Sequence, residues 1–199
     1  MIWYEEEVKH LEQKRQSGEA SSGTIVFYGS SSIRLWETLS SDFPHIQSPV
    51  NLGFGGSTLA ACTWFFDRLV VPYQPKSLVV YAGDNDLGDG RHPEEIYQFF
   101  FTLLQKVKHS LGPIRFSFIS IKPSPCRWAS AGQIQYTNEL IRNEIAPYET
   151  YRYIDVFTPM LDTNGNPRRE LFVEDGLHLS KAGYEVWRQA LQSQADQIF

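Results

Sequence analysis

Residues 77–86 read Ser77-Leu78-Val79-Val80-Tyr81-Ala82-Gly83-Asp84-Asn85-Asp86. The stretch up to Ala82 is a continuous apolar strand, of the kind buried on both faces, and such strands belong to parallel sheets covered by helices. The run stops at a glycine followed by polar residues, so the chain turns where the strand ends. The next segment is the clearest helix of the sequence. Ile96, Phe99, Phe100, Leu103, Leu104, Val107 and Leu111 keep one face, Pro93 suits the first turn, and Gly112-Pro113 ends it.

The same alternation extends in both directions. Upstream, Trp3/Tyr4, Val8 and Leu11 recur at helical spacing, which predicts a helix from residue 2 to about residue 17. Gly18 to Gly23 reads as a small polar linker. Thr24 to Tyr28 is β-rich, and a helix candidate starts near Ile33. Val50 to Leu52 is a short strand, and Ser57 is placed to cap a helix through Leu69. Downstream, Ile114 to Ile121 is the fourth strand. A helix with Ile134, Leu140, Ile141 and Ile145 follows, ended by Pro147. Tyr151 to Val156 is the fifth strand, and Ser180 is placed to cap a last helix carrying Tyr184, Trp187, Leu191 and Ile198. Strands alternating with long helices predict an α/β fold with a parallel sheet and helices on both faces. The sequence has no internal repeat and no low-complexity tract. Residues 1–199 read as one domain, with 1–23 an N-terminal helix and linker and 24–199 the core.

Bulk properties narrow the function classes. A chain of 199 residues suffices for one full-sized core. The net charge of −5, with 18 basic and 23 acidic residues and no Lys/Arg cluster, argues against a nucleic-acid partner. Cys62 and Cys126 form no metal spacing and no disulfide framework, so they read as two reduced, packed thiols. The start, Met1-Ile2-Trp3-Tyr4-Glu5-Glu6-Glu7, is acidic where a secretory signal is basic and then apolar. No apolar run approaches the ~20 residues of a membrane span. The expectation is a cytoplasmic protein with no membrane span, and a homo-oligomer is left open.

Four polar blocks fall in loops that follow strand ends, on the sheet edge where open α/β folds hold their ligands. The first is Tyr28-Gly29-Ser30-Ser31-Ser32-Ile33. A serine at a strand-to-helix turn exposes its Oγ and sets its N–H at a helix N-terminus, although a simple N-cap is the commoner use. It is not the Gly-x-Ser-x-Gly elbow, because position 33 is Ile. The second block is Asn51-Leu52-Gly53-Phe54-Gly55-Gly56-Ser57. Its glycines bring backbone close to the crevice or simply serve a tight turn. A dinucleotide fingerprint would need glycine at position 58, where Thr58 stands. The third block, Gly83-Asp84-Asn85-Asp86, offers one amide donor among acids. It also reads as a self-bonded turn, and as a metal site it lacks a third ligand nearby in sequence. The fourth is Glu174-Asp175-Gly176-Leu177-His178-Leu179-Ser180. A carboxylate three residues before an imidazole can fold back and accept the Nδ1 proton, which leaves Nε2 free to act as a base. His10, His45, His92 and His109 read as ordinary surface or core residues.

Ser31, Gly56, Asn85 and Asp175/His178 stand in the order and spacing of the SGNH hydrolases, also called GDSL-type esterases and lipases. The chain resembles in particular the single-domain acylhydrolases related to the platelet-activating-factor acetylhydrolase catalytic subunit. The match spans nearly everything after residue 23. The resemblance implies a three-layer flavodoxin-like αβα sandwich with a five-stranded parallel sheet in the order 2-1-3-4-5. It assigns Ser31 as nucleophile, His178 as base and Asp175 as its orienter. Ser31 N–H, Gly56 N–H and the Asn85 side chain would form the oxyanion hole. Ser30 departs from the family, which has Asp in the usual Gly-Asp-Ser.

The expected reaction is cleavage of a short, acetyl-type ester through an acyl-enzyme, with a small-molecule ester as substrate and no metal or organic cofactor. Phe54, Leu87 and Trp128 lie in or beside the crevice loops and are expected to line the substrate site or to pack in the core. Two rivals are a non-catalytic ligand-binding module on the same fold and a flavodoxin-like nucleotide or flavin binder.

Overall fold

The computed structural model describes residues 1–16 and 23–199, so most of the Gly18–Gly23 linker expectation lies outside the described residues. Its five strands are β1 (Ile25–Gly29), β2 (Val50–Gly53), β3 (Ser77–Tyr81), β4 (Arg115–Ile119) and β5 (Tyr151–Ile154). They pair in parallel in the order β2-β1-β3-β4-β5. Tyr28 of β1 lies between Leu52 of β2 and Val80 of β3, which sets the register of the sheet's centre. Every residue of β1 and β3 is buried, as the unbroken apolar run of β3 requires.

The helices are α1 (Glu5–Gln16), α2 (Ser31–Arg34), α3 (Leu39–Asp42), α4 (Leu59–Leu69), α5 (Asp84–Gly88), α6 (Pro93–Leu111), α7 (Ala131–Ile145), α8 (Lys181–Gln192) and α9 (Ala195–Ile198). Side chains alternate across the strands, so the sheet builds two cores. Val26, Tyr28, Leu78, Val80, Phe116 and Phe118 pack under α1, α4, α6 and α7. Ile25, Phe27, Val79, Tyr81, Ile119 and Ile154 pack on the other face with α2, α3, α8 and α9. The result is a three-layer αβα sandwich.

The differences from the sequence reading are local. Thr58, not Ser57, caps α4: its extended backbone lets Oγ1 accept the Ala61 N–H at 3.0 Å. Such a cap contributes about 1 kcal/mol. Ser57 is instead buried, and its Oγ lies 3.8 Å from Cys62 Sγ. The polar block after β3 is not an open turn. Gly83, at φ 112°, reverses the chain, and α5 follows with Asp84 and Asp86 in its first turn, where acids suit the helix dipole. The expected last helix is two pieces: Ser180 caps α8 through the Gly183 N–H, and a break at residues 193–194 precedes α9. The Ile198 carbonyl there accepts the Ser77 hydroxyl at 2.6 Å, tying α9 to the sheet. Only one of the two cysteines is packed as expected. Cys62 is buried, while Cys126 is exposed because its loop lies outside the cores.

The order 2-1-3-4-5 makes the chain leave β1 toward one edge and return to its other side as β3. The strand order therefore reverses between β1 and β3, and the crevice beyond their C-terminal ends is the natural ligand site. No helix among the described residues is long and apolar enough to cross a membrane.

Candidate active site

The nucleophile turn is built by glycine. Gly29 ends β1 at φ 143°, and a Cβ there would sit 1.8 Å from the Tyr81 carbonyl oxygen. Without that Cβ, β1 closes against β3 and the Ser30 N–H donates to the Tyr81 carbonyl at 2.9 Å. Ser30 is the N-cap of α2 and makes no side-chain cap bond. Ser31 is thus the first helical residue. Its N–H has no intrahelical acceptor and, among the described residues, no other hydrogen-bond partner. Its half-buried Oγ lies 3.1 Å from His178 Nε2.

His178 and Asp175 share one tight turn. Gly176, at φ 66°, lets the chain fold back, and the His178 carbonyl accepts the Val173 N–H at 2.9 Å. Asp175 Oδ1 accepts the N–H groups of Leu177 and His178 at 2.8 and 2.9 Å. Its Oδ2 lies 2.6 Å from His178 Nδ1. Partial burial alone would raise the Asp175 pKa. The His178 hydrogen bond and the two backbone N–H groups overcome that and hold it at about 2. An ionised Asp175 only accepts, so Nδ1 carries the proton and Nε2 faces Ser31 Oγ as an acceptor.

The two other expected donors converge on the same crevice edge. Asn51 Nδ2 donates to the Ile33 carbonyl at 2.6 Å while its Oδ1 accepts the Gly53 N–H at 2.9 Å, so one side chain ties the β2 loop to α2. A Cβ on Gly53 would sit 2.2 Å from the Arg34 backbone nitrogen, so only glycine allows this approach. Gly56 follows in the left-handed region at φ 64°, and its N–H has no partner among the described residues. Asn85 opens α5 beside it. Its Nδ2 donates to the Ser57 carbonyl at 3.0 Å, and its Oδ1 accepts from Arg127 Nη2 at 3.1 Å. A guanidinium can only donate and a carbonyl can only accept, so the amide cannot be flipped. One Nδ2 proton remains for a ligand.

The model of the GDSL-like lipase/acylhydrolase family matches residues 23–186. The chain belongs to that family. It is an ester-hydrolysing enzyme of the SGNH type. Several solved structures share the fold. A candidate platelet activating factor from Streptococcus pneumoniae is 22% identical with a TM-score of 0.82, covering 100% of this chain and 95% of that one. A GDSL-like lipase from Bacteroides thetaiotaomicron is 17% identical with a TM-score of 0.82, covering 96% and 98%. An acetyl xylan esterase is 17% identical with a TM-score of 0.71, covering 85% and 98%. No curated protein matches the sequence.

The candidate site rests on charged groups that no motif in the sequence marks. Arg127, from the segment Pro125–Ser130 after β4, grips the Asn85 Oδ1 and also donates to the Asp84 carbonyl. Lys122 is buried beneath α5, with Nζ 2.5 Å from Asp84 Oδ2 and 3.0 Å from the Tyr81 hydroxyl. Burial works to lower the Lys122 pKa, but the Asp84 charge and the Tyr81 contact push it above the ordinary lysine range. Removing either partner of such a pair strands the other charge. Asp86 points away from Asp84. Its Oδ2 accepts the Leu59 N–H at 2.6 Å and its Oδ1 pairs with Arg91 at 2.8 Å, so the two carboxylates do not form a metal pair. Burial raises the Asp86 pKa against those two partners. The one signal in the sequence was Lys122 itself, a cation at the end of an apolar strand.

The expected lining residues fall differently. Phe54 is fully buried, edge-on to Tyr4 and Phe65, and Leu87 is buried in the same core, so neither faces the crevice. Phe54 follows β2 and Leu87 lies in α5, and both side chains turn inward to the core under the sheet. Trp128 is half-buried and stacks on Phe157 in the segment that carries Arg127.

Proposed function

We propose that the chain is a serine esterase that cleaves short-chain, acetyl-type carboxylic esters through an acyl-enzyme on Ser31. The observation that carries this reading is the unbroken line from Ser31 Oγ to His178 Nε2 and from Nδ1 to Asp175, at 3.1 and 2.6 Å. His178 takes the Ser31 proton as Oγ bonds to the ester carbonyl carbon. The tetrahedral oxyanion is held by Ser31 N–H, Gly56 N–H and Asn85 Nδ2. When the C–O bond breaks, the leaving alcohol takes the proton from His178. A water then attacks the acyl-enzyme by the same route, the acid departs, and Ser31 regains its proton.

Two points support a small acyl group. The chain runs from β1 and β3 almost directly into α2 and α5, so neither connection supplies a lid. One structural neighbour is an acetyl xylan esterase. The expected preference is p-nitrophenyl acetate or butyrate over the octanoate ester in kcat/KM. The deciding experiment is labelling with a fluorophosphonate probe and mapping of the modified serine, which is expected to be Ser31. Labelling at Ser30 or Ser32, or none at all, would overturn the assignment.

Asn85 offers a second test. Its free Nδ2 proton serves the oxyanion and not the ground-state carbonyl, so Asn85→Ala is expected to lower kcat by ~10²–10³ with KM nearly unchanged. The Ser57 and Arg127 contacts also disappear, so some thermal stability will be lost. A variant that melts earlier yet turns over at the wild-type rate per folded molecule would make Asn85 a turn residue only.

A further inference from the structure

The Gly56 N–H belongs to the peptide between Gly55 and Gly56, and the loop itself holds that peptide by one long turn bond, from the Ser57 N–H to the Phe54 carbonyl at 3.4 Å. Both residues are glycine, the most permissive backbone. Gly56 stands at φ 64° with no atom within 4 Å of where a Cβ would be, so no packing locks its dihedrals. Two shorter bonds come from outside the loop, one on each side of the peptide. Glu7 Oε2 accepts the Gly55 N–H at 2.8 Å. The Tyr4 hydroxyl donates to the Gly56 carbonyl at 3.0 Å.

Both groups come from the N-terminal segment, and both are anchored. Tyr4 is buried, with its ring edge-on to Phe54 at 5.5 Å and to Phe65 at 6.3 Å between centroids. Glu7 Oε1 lies 3.3 Å from Arg34 Nη1, and Arg34 closes the short helix that Ser31 opens. One carboxylate therefore spans the Gly55 loop and the nucleophile helix. The segment is also clamped to α4, where Arg68 pairs with Glu5 and Glu12 at 2.8 and 2.9 Å. The family match begins at residue 23, so these contacts come from outside the matched region.

We propose that Tyr4 and Glu7 are positioning residues that hold the Gly55–Gly56 peptide so that its N–H points into the oxyanion site. The inference rests on the serine-esterase reading. Removing one of the two bonds frees glycine dihedrals without deleting the donor. The cost should therefore fall below the ~10²–10³ of losing a donor outright.

The test compares steady-state hydrolysis of p-nitrophenyl acetate by the full chain and single variants. Tyr4→Phe keeps the ring packing and loses only the hydroxyl. Glu7→Ala loses the carboxylate, and Glu7→Gln keeps an acceptor for the Gly55 N–H. Tyr4→Phe and Glu7→Ala are each expected to lower kcat about tenfold with KM within about twofold, in keeping with the sensitivity of catalysis to sub-ångström placement. Glu7→Gln should recover most of the rate. Glu12→Ala loosens the same helix from α4 without touching the loop and should keep the wild-type kcat. If Tyr4→Phe and Glu7→Ala turn over like the wild type, or Glu12→Ala falls as far as they do, the positioning role is wrong while the esterase stands. A wild type that neither hydrolyses the ester nor takes a fluorophosphonate overturns the esterase reading, and this inference with it.

Discussion

Replacing Ser31 by alanine will abolish hydrolysis of p-nitrophenyl acetate and leave the fold intact. The expected loss in kcat is ~10⁴–10⁶, the range seen when the nucleophile of a serine triad is removed and only the remaining site acts on water. The fold should survive because the hydroxyl carries little structure. Among the described residues its one hydrogen-bond partner is His178, whose side chain is itself about one-third exposed. Such a change falls within about 0.5 kcal/mol. The neighbours are the controls. Ser30 acts through its backbone, which donates to the Tyr81 carbonyl and caps α2, and its side chain makes no cap bond. Ser32 offers its carbonyl to the Tyr184 hydroxyl at 3.0 Å. Alanine keeps both backbone roles, so Ser30→Ala and Ser32→Ala should each retain a substantial rate. The measurement is kcat per folded molecule, with melting followed by circular dichroism. A Ser31→Ala variant that keeps more than a few per cent of the rate would remove Ser31 as nucleophile. A variant that loses activity only because it unfolds would show in the melt.

What could be read from the sequence divides along a physical line. The run from Leu78 to Ala82 and the helical face from Ile96 to Leu111 gave the buried strand and its covering helix, because both are periodic patterns within one element. The Asp175–His178 pair was readable because both groups lie in one turn, with Gly176 to close it. The strand order came from resemblance and not from pattern, since periodicity does not say which strands are neighbours. Whether Ser57 or Thr58 caps α4 is a local matter of where the helix starts, which is at Leu59 with Thr58 extended before it. Other features depend on contacts between distant segments. For Phe54 and Leu87 the sequence leaves crevice lining and core packing both open, and the rings of Tyr4 and Phe65 and the sheet below decide for the core. Arg127 meets Asn85 across 42 residues, and Glu7 meets Gly55 across 48, with no local motif to announce either. In sequence Asn51 is only part of a glycine-rich block, and its tie to Ile33 appears only in the fold.

Asp175→Asn is expected to lower kcat by ~10³–10⁴ while the protein stays folded, the scale seen when a triad aspartate becomes an amide. The reason is the tautomer. Asp175 only accepts, so His178 keeps its proton on Nδ1 and presents a lone pair to Ser31. An asparagine can present its NH₂ to Nδ1, which moves the proton to Nε2 and turns the base into a donor facing the nucleophile. The turn itself should hold, because the asparagine oxygen can still accept the Leu177 and His178 N–H groups that now bond Asp175. The pH dependence separates charge from geometry. The Asp175 carboxyl is held at about 2, below its ordinary value of 3.8. A depressed folded-state pKa contributes stability above the ordinary carboxylate range, and that contribution is lost as pH falls through about 2. With 47% of the side chain exposed, solvent screens the contribution, so melting near neutral pH should hardly move in the variant. Between pH 5 and 8 the carboxylate stays ionised, so any acid limb of the wild-type rate reports an imidazole and not Asp175. The check is kcat/KM from pH 4 to 9 for both proteins. A variant that falls less than tenfold would make Asp175 a turn residue whose charge His178 does not use.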